Sequence, residues 1–155
     1  MKTPFNILIV EDNANKVESI KSLLQELELK LQFIVACDYV LTPAEAITFL
    51  KKNKYQFLIL DMSLPAYSEE SHTIGSLSGK QILQTMKHKK IDVPTVILTQ
   101  WDIFGHHENT ISLEGLRNEL LAKFKKILLG VVFWDSANES WKDDMACFIK
   151  GVMND

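Results

Sequence analysis

The stretch YQFLILDMSLP, Tyr55–Pro65, places an aspartate directly after a run of apolar residues. A short, continuous apolar run marks a strand buried on both faces, as in parallel sheets. An ionised carboxylate gains nothing from following such a strand, so Asp61 needs another reason to be there. The same pattern recurs on either side. FNILIV (Phe5–Val10), LQFIVAC (Leu31–Cys37), VPTVILT (Val93–Thr99) and VVFWD (Val131–Asp135) read as four more strands. Pro94 lies near the start of its run, where a lost donor is tolerated.

Helical spacing fills the intervals. Val17, Ile20, Leu24 and Leu27 form one stripe, with Asp12 or Asn13 available as its cap. TPAE (Thr42–Glu45) opens a second helix: Thr42 caps, Pro43 suits the first turn and Glu45 completes a capping box. Ser78 with Gln81 offers a third start, ahead of Ile82, Leu83 and Met86. Leu113, Leu116, Leu120, Phe124 and Ile127 predict a helix of about four turns, stopped by Gly130. Ser140 with Asp143 opens a last helix bearing Met145, Phe148, Ile149 and Val152. Five strands alternating with five helices predict right-handed βαβ units. The expected fold is α/β, a doubly wound five-stranded parallel sheet of flavodoxin-like order 2-1-3-4-5 with helices on both faces. At 155 residues, the chain is expected to form a single domain over 1–155.

Composition excludes several functions. A net charge of -3 gives no basic field for nucleic acid. No apolar run reaches the roughly 18 residues of a membrane span, and the N-terminus lacks a signal-peptide core. The expectation is a cytoplasmic protein with no direct membrane contact. Cys37 and Cys147 are far apart and lack a CxxC spacing, so they read as free structural thiols.

In doubly wound sheets, ligands bind outside the carboxyl ends of the strands where strand order reverses. The first strand ends in Glu11 and Asp12, the third in Asp61 and the fourth in Thr99. With the expected order these ends are neighbours, so three carboxylates and a hydroxyl converge. Three such charges repel strongly unless a cation sits among them. Hard oxygen ligands with room for water suit Mg2+. Mg2+ beside a carboxylate nucleophile is equipped for phosphoryl transfer. Taken singly, Asp12 reads equally well as a helix cap, and Thr99 as a strand-favouring residue.

ILIVEDN, FLILDMSLP and VILTQ, in that order and at strand ends, resemble the receiver domain of two-component response regulators over nearly the whole chain. The resemblance implies a stand-alone signalling domain rather than an enzyme, with at most self-phosphorylation and self-dephosphorylation at Asp61. Asp61 would accept a phosphoryl group from a histidine kinase or phosphotransfer protein. Glu11 and Asp12 match the family's acidic pair, which coordinates Mg2+ directly or through water. Asp61 matches a further metal ligand, and Ser63 would offer its backbone carbonyl. Pro65 matches the proline of the following loop, and Thr99 the hydroxyl residue that moves to bond the phosphoryl oxygen. No effector module follows the last helix, so output is expected through protein contact with an unknown partner. In the family that contact usually uses the face of helix four, strand five and helix five.

The chain departs from this pattern. The family's lysine at the end of strand five, usually followed by proline, is absent from VVFWDSANESW. Counting from Phe133 as the usual aromatic position, Ser136 stands in its place, and Lys142 falls inside the last helix. The expectation is a more negative apo site in which Mg2+ matters more, with weaker or different phosphate-driven switching. The loop Ala66–Ser78, with Tyr67, Glu69, Glu70 and His72, is longer than usual, as is the segment from Trp101 through DIFGHHENT. Each reads as a gate, a partner contact or a solvated loop. His106, His107 and Glu108 read as solvated, and Trp101, Phe104 and Trp134 as packing residues. Two rival readings are a phosphorylation-independent pseudo-receiver and a Mg2+-dependent phosphatase using Asp61. The second wants an acid where Ser63 stands.

Overall fold

The first apolar run forms β1 (Phe5–Val10), and its stripe-bearing successor forms α1 (Ala14–Leu31). There follow β2 (Val35–Val40), α2 (Pro43–Lys52), β3 (Phe57–Leu60), α3 (Ser78–Lys89), β4 (Thr95–Thr99), β5 (Ile103–His106), β6 (Asn109–Ser112), α4 (Leu113–Lys123), β7 (Leu128–Phe133) and α5 (Ser140–Met153). The structure is a computed structural model and describes residues 3–62, 78–106 and 109–154. The segment 66–77 and the pair His107 and Glu108, read above as loops, lie outside the described residues.

β2-β1-β3-β4-β7 make a five-stranded sheet, every neighbouring pair parallel. This is the doubly wound order expected, with β7 as the sheet's fifth strand. Side chains alternate between faces. Leu8, Val10, Leu58, Leu60 and Ile97 meet Ile82, Met86, Leu116 and Leu120 on one face. Ile7, Ile9, Phe57, Ile59 and Val96 meet Ile20, Leu24, Leu27, Met145 and Ile149 on the other. All four residues of β3 are buried, which fixes it as the sheet's centre. Each such aliphatic side chain contributes about 1.5–3 kcal/mol.

At α2 Thr42 caps as read, whereas Glu45 reaches back to the Thr42 hydroxyl and not to its backbone N–H. Thr42 Oγ1 accepts from Glu45 N at 3.3 Å and donates to Glu45 Oε1 at 3.1 Å. At α1, Asn13 rather than Asp12 is the cap, its Oδ1 accepting from the backbone N–H groups of Asn15 and Lys16.

Several boundaries differ from the sequence reading; β2 runs on to Val40, β4 starts at Thr95 and β7 spans Leu128–Phe133. Leu31 closes α1 instead of opening β2, because Gln32 takes a left-handed backbone (φ 55) that ends the helix there. Ser78 is the first residue of α3 and so lies inside the helix. Helix α4 ends at Lys123, about three turns long, and Phe124 and Ile127 are buried from the turn that follows. Gly130 lies in β7 and stops no helix. A Cβ there would stand 2.4 Å from the Phe148 ring of α5, so glycine lets that helix close onto the strand.

The segment after Trp101 is a two-stranded antiparallel hairpin, β5 with β6. It buries Phe104 completely in the core, and Trp101 packs partly buried beside it. Trp134 is buried on the opposite face, so all three aromatics are packing residues. At the edge of the sheet, Arg117 of α4 donates through Nε (3.0 Å) and Nη2 (2.9 Å) to the carbonyl oxygen of Val131 in β7.

Candidate functional site

Register decides which strand-end residues meet. Val10 pairs with Leu60, and Leu60 with Ile97. The next residues, Glu11 and Asp61, therefore leave their strands at one level, and Thr99 sits one step further along β4. Backbone bonds extend the ladder past both acids: Glu11 N donates to Val40 O at 3.1 Å, and Asp61 N to Val10 O at 3.0 Å. The acids thus stand on rigid backbone at the sheet's carboxyl edge.

Glu11, Asp12 and Asp61 each present a carboxylate oxygen, and these oxygens lie within 4.8 Å of one another. Glu11 and Asp61 are 3% exposed, whereas Asp12 faces solvent. Glu11 Oε2 accepts from the backbone N–H groups of Asp12 and Asn13, both at 3.0 Å. Burial pushes the Glu11 carboxyl well above the usual carboxylate range; Lys16 opposes that shift and Asp61 adds to it. Three hard oxygens, two buried and one open to water, form a donor set that fits Mg2+. Ser63, the fourth expected ligand, and Pro65 lie outside the described residues.

Thr99 is completely buried, and its Oγ1 accepts from Trp101 N at 3.2 Å. The hydroxyl is therefore engaged with its own backbone two residues on. Next to it, Gln100 Oε1 accepts from Asn13 Nδ2 at 3.0 Å, tying the end of β4 to the cap of α1. Below the site, Gly79 of α3 packs on the backbone of β3's exit. Its N–H donates to Met62 O at 2.8 Å, and a Cβ there would stand 2.8 Å from Asp61 O.

The expectation of a site without its own cation is overturned. Lys16, in the first turn of α1, is 0% exposed, with Nζ 2.5 Å from Glu11 Oε1 and 3.3 Å from Asp61 Oδ1. One buried ammonium is thus paired at short range with two buried carboxylates. Ser136 is exposed in the turn after β7, and half-buried Lys142 pairs with exposed Glu139 at 3.2 Å, away from Glu11 and Asp61. The sequence signal for Lys16 was its spacing: it lies four residues before Ile20, on the buried stripe that continues through Leu23, Leu24 and Leu27.

No protein-family model matches the chain. The Detocs response regulatory protein DtcB of Enterobacter cloacae (strain JD6301) is 28% identical over 144 residues, covering 90% of this chain and 94% of that protein. The uncharacterized protein y4jR of Sinorhizobium fredii (strain NBRC 101917 / NGR234) is 25% identical over 142 residues, covering 87% and 90%. Among solved structures, the response regulator protein TrrA from Thermotoga maritima, in complex with Mg2+ and BeF, matches with a TM-score of 0.64 at 22% identity over 98% of this chain and 99% of that one. A CheY-like response regulator receiver domain from Methylobacillus flagellatus matches with a TM-score of 0.59 at 15% identity over 97% and 99%.

Proposed function

We propose that this chain, which has the fold of the response-regulator receiver domains, is a phosphoacceptor in signal transduction, with Asp61 as the accepting residue. Residues 1–155 would act as one receiver-like domain in the cytoplasm. The observation that carries this reading is the convergence of Glu11, Asp12 and Asp61 at the ends of β1 and β3. The relationship to a response regulatory protein and the fold shared with a Mg2+–BeF complex support it.

A carboxylate oxygen of Asp61 attacks the phosphorus of a phosphohistidine on a kinase or phosphotransfer protein. The new P–O bond forms as the P–N bond breaks, and the imidazole keeps the electron pair. Glu11, Asp12 and Asp61, with the Ser63 carbonyl as a further candidate, would hold Mg2+, which when bound offsets the charge developing on the phosphoryl oxygens. Thr99 Oγ1 carries a proton it can donate to a phosphoryl oxygen. To reach it, the side chain turns away from the Trp101 N–H. That rearrangement passes the state of Asp61 to β4 and to the hairpin behind Trp101. In this reading the output is a protein contact, and the chain's own chemistry is at most self-phosphorylation and self-dephosphorylation at Asp61.

The test is incubation with acetyl phosphate and Mg2+, read by intact mass. The unmodified protein should gain one acid-labile phosphoryl group and Asp61→Asn none. Equal uptake by both proteins removes Asp61 as acceptor. One observation favours a second reading, a phosphorylation-independent interaction module: an ammonium already lies between Glu11 and Asp61. No uptake by the unmodified protein selects that reading.

A further inference from the structure

We propose that Lys16 is the resident cation of this site, and that Mg2+ binds by exchange with it, freeing the ammonium to take an anionic oxygen on Asp61. The inference deepens the reading above and rests on Asp61 being a phosphoryl acceptor.

Both oxygens of Glu11 are already engaged. Oε2 accepts two backbone N–H groups, and Oε1 faces Lys16 Nζ at 2.5 Å. A divalent ion that takes an oxygen of Glu11 and one of Asp61 needs the space this ammonium fills. Two cations at that separation repel strongly in a buried setting. The lysine must therefore withdraw as the metal arrives. Its long unbranched stem allows that movement without shifting α1.

Charge supplies the direction. Three carboxylates with a divalent ion in place of the ammonium leave one formal negative, which keeps the displaced ammonium beside the site. Lys16 keeps the metal-free site from collapsing under its own repulsion. Once the metal is bound, the displaced ammonium is a buried cation in need of a new partner. Its three N–H groups, which in the metal-free site face Glu11 and Asp61, are suited to phosphoryl oxygens. A lysine on the first turn of α1 would then do the work of the receiver family's lysine at the end of its fifth strand.

The measurement is a calorimetric Mg2+ titration of the full chain at pH 8, as the unmodified protein, Lys16→Met and Lys16→Arg. Lys16→Met should bind Mg2+ at least about tenfold more tightly, because its competitor is gone. Lys16→Arg should stay nearer the unmodified protein. With Mg2+ saturating, Lys16→Met should bind beryllofluoride about tenfold more weakly. A folded Lys16→Met with unchanged or weaker Mg2+ affinity overturns the exchange, as does the absence of Mg2+ binding to both proteins. Unchanged beryllofluoride affinity overturns the anion-binding half. Should Lys16→Met fail to fold, the Lys16 side-chain NMR signals of the unmodified protein decide. They should move in step with Mg2+ occupancy, and signals unmoved at saturation overturn the proposal. Phosphoryl uptake by intact mass is read separately, so a failure of Asp61 as acceptor stays distinct from a failure of the exchange.

Discussion

The carboxyl ends of β1 and β7 both adjoin a helix that carries a lysine near its start, and they treat that lysine in opposite ways. After β1, a single capped step through Asn13 leads into α1, and Lys16 is drawn inside against Glu11 and Asp61. After β7, an exposed turn through Ser136 precedes α5, and Lys142 stays half-buried at the surface beside exposed Glu139. Buried carboxylates at the end of a parallel sheet require a cation. They do not dictate which strand or helix supplies it.

Exchanging the two lysines for neutral residues should break the symmetry most visibly. Lys16→Met leaves buried carboxylates without their partner and should cost about 3 kcal/mol in metal-free buffer. Added Mg2+ should restore part of that loss. Lys142→Met removes a pair open to water and should change stability by under about 1 kcal/mol. Chemical denaturation of both variants with and without Mg2+ checks the contrast; equal losses would mean that Lys16 is no more than a surface charge.

The two close-packed glycines sharpen it next. At Gly79 the obstacle to a side chain is the backbone of Asp61 and Met62, which cannot turn aside. Gly79→Ala should therefore cost about 1–3 kcal/mol and disturb Mg2+ binding by shifting Asp61. At Gly130 the obstacle is the Phe148 ring, which can rotate toward solvent. Gly130→Ala should cost less than Gly79→Ala and leave the candidate Mg2+ site unaffected, as denaturation and Mg2+ titration would show.

The smallest effects concern the edges. Ser136→Lys adds a charge at an exposed turn, and with Lys16 already in the site it should alter Mg2+ affinity by less than about threefold. Alkylation should separate the cysteines. Burial pushes the Cys37 thiol up to about 11, so less thiolate is present at neutral pH than in an open thiol, and Cys147 is exposed. Mass spectrometry after brief iodoacetamide treatment should find Cys147 modified first, with Cys37 gaining reactivity only as the pH rises toward that value.

How legible each part was in the sequence follows from its physics. The strands and their order were readable because parallel strands buried on both faces are continuous apolar runs. Glu11, Asp12, Asp61 and Thr99 were readable because they interrupt those runs. Lys16 was not, since lysine in a helical pattern ordinarily marks the solvent face, and the adjacent apolar Val17 starts the stripe more plainly. The hairpin β5–β6 escaped because its strands are four residues each and too polar to announce alternation. Phe124 and Ile127 extended the expected α4 because burial, and not helical geometry, gave them their spacing.

Arg117 has a consequence for how the molecule keeps to itself. β7 is the last strand of the sheet, and the peptide N–H of Trp134 points inward to Thr99 at 2.7 Å. Successive residues of a strand turn their peptide groups to opposite sides, so Val131 offers its carbonyl outward, to any passing strand. The guanidinium occupies that carbonyl with two donors, and its charge stands where an incoming backbone would have to dock. An otherwise apolar border, LLGVVF, is thereby closed at its middle to self-templated growth into a larger sheet.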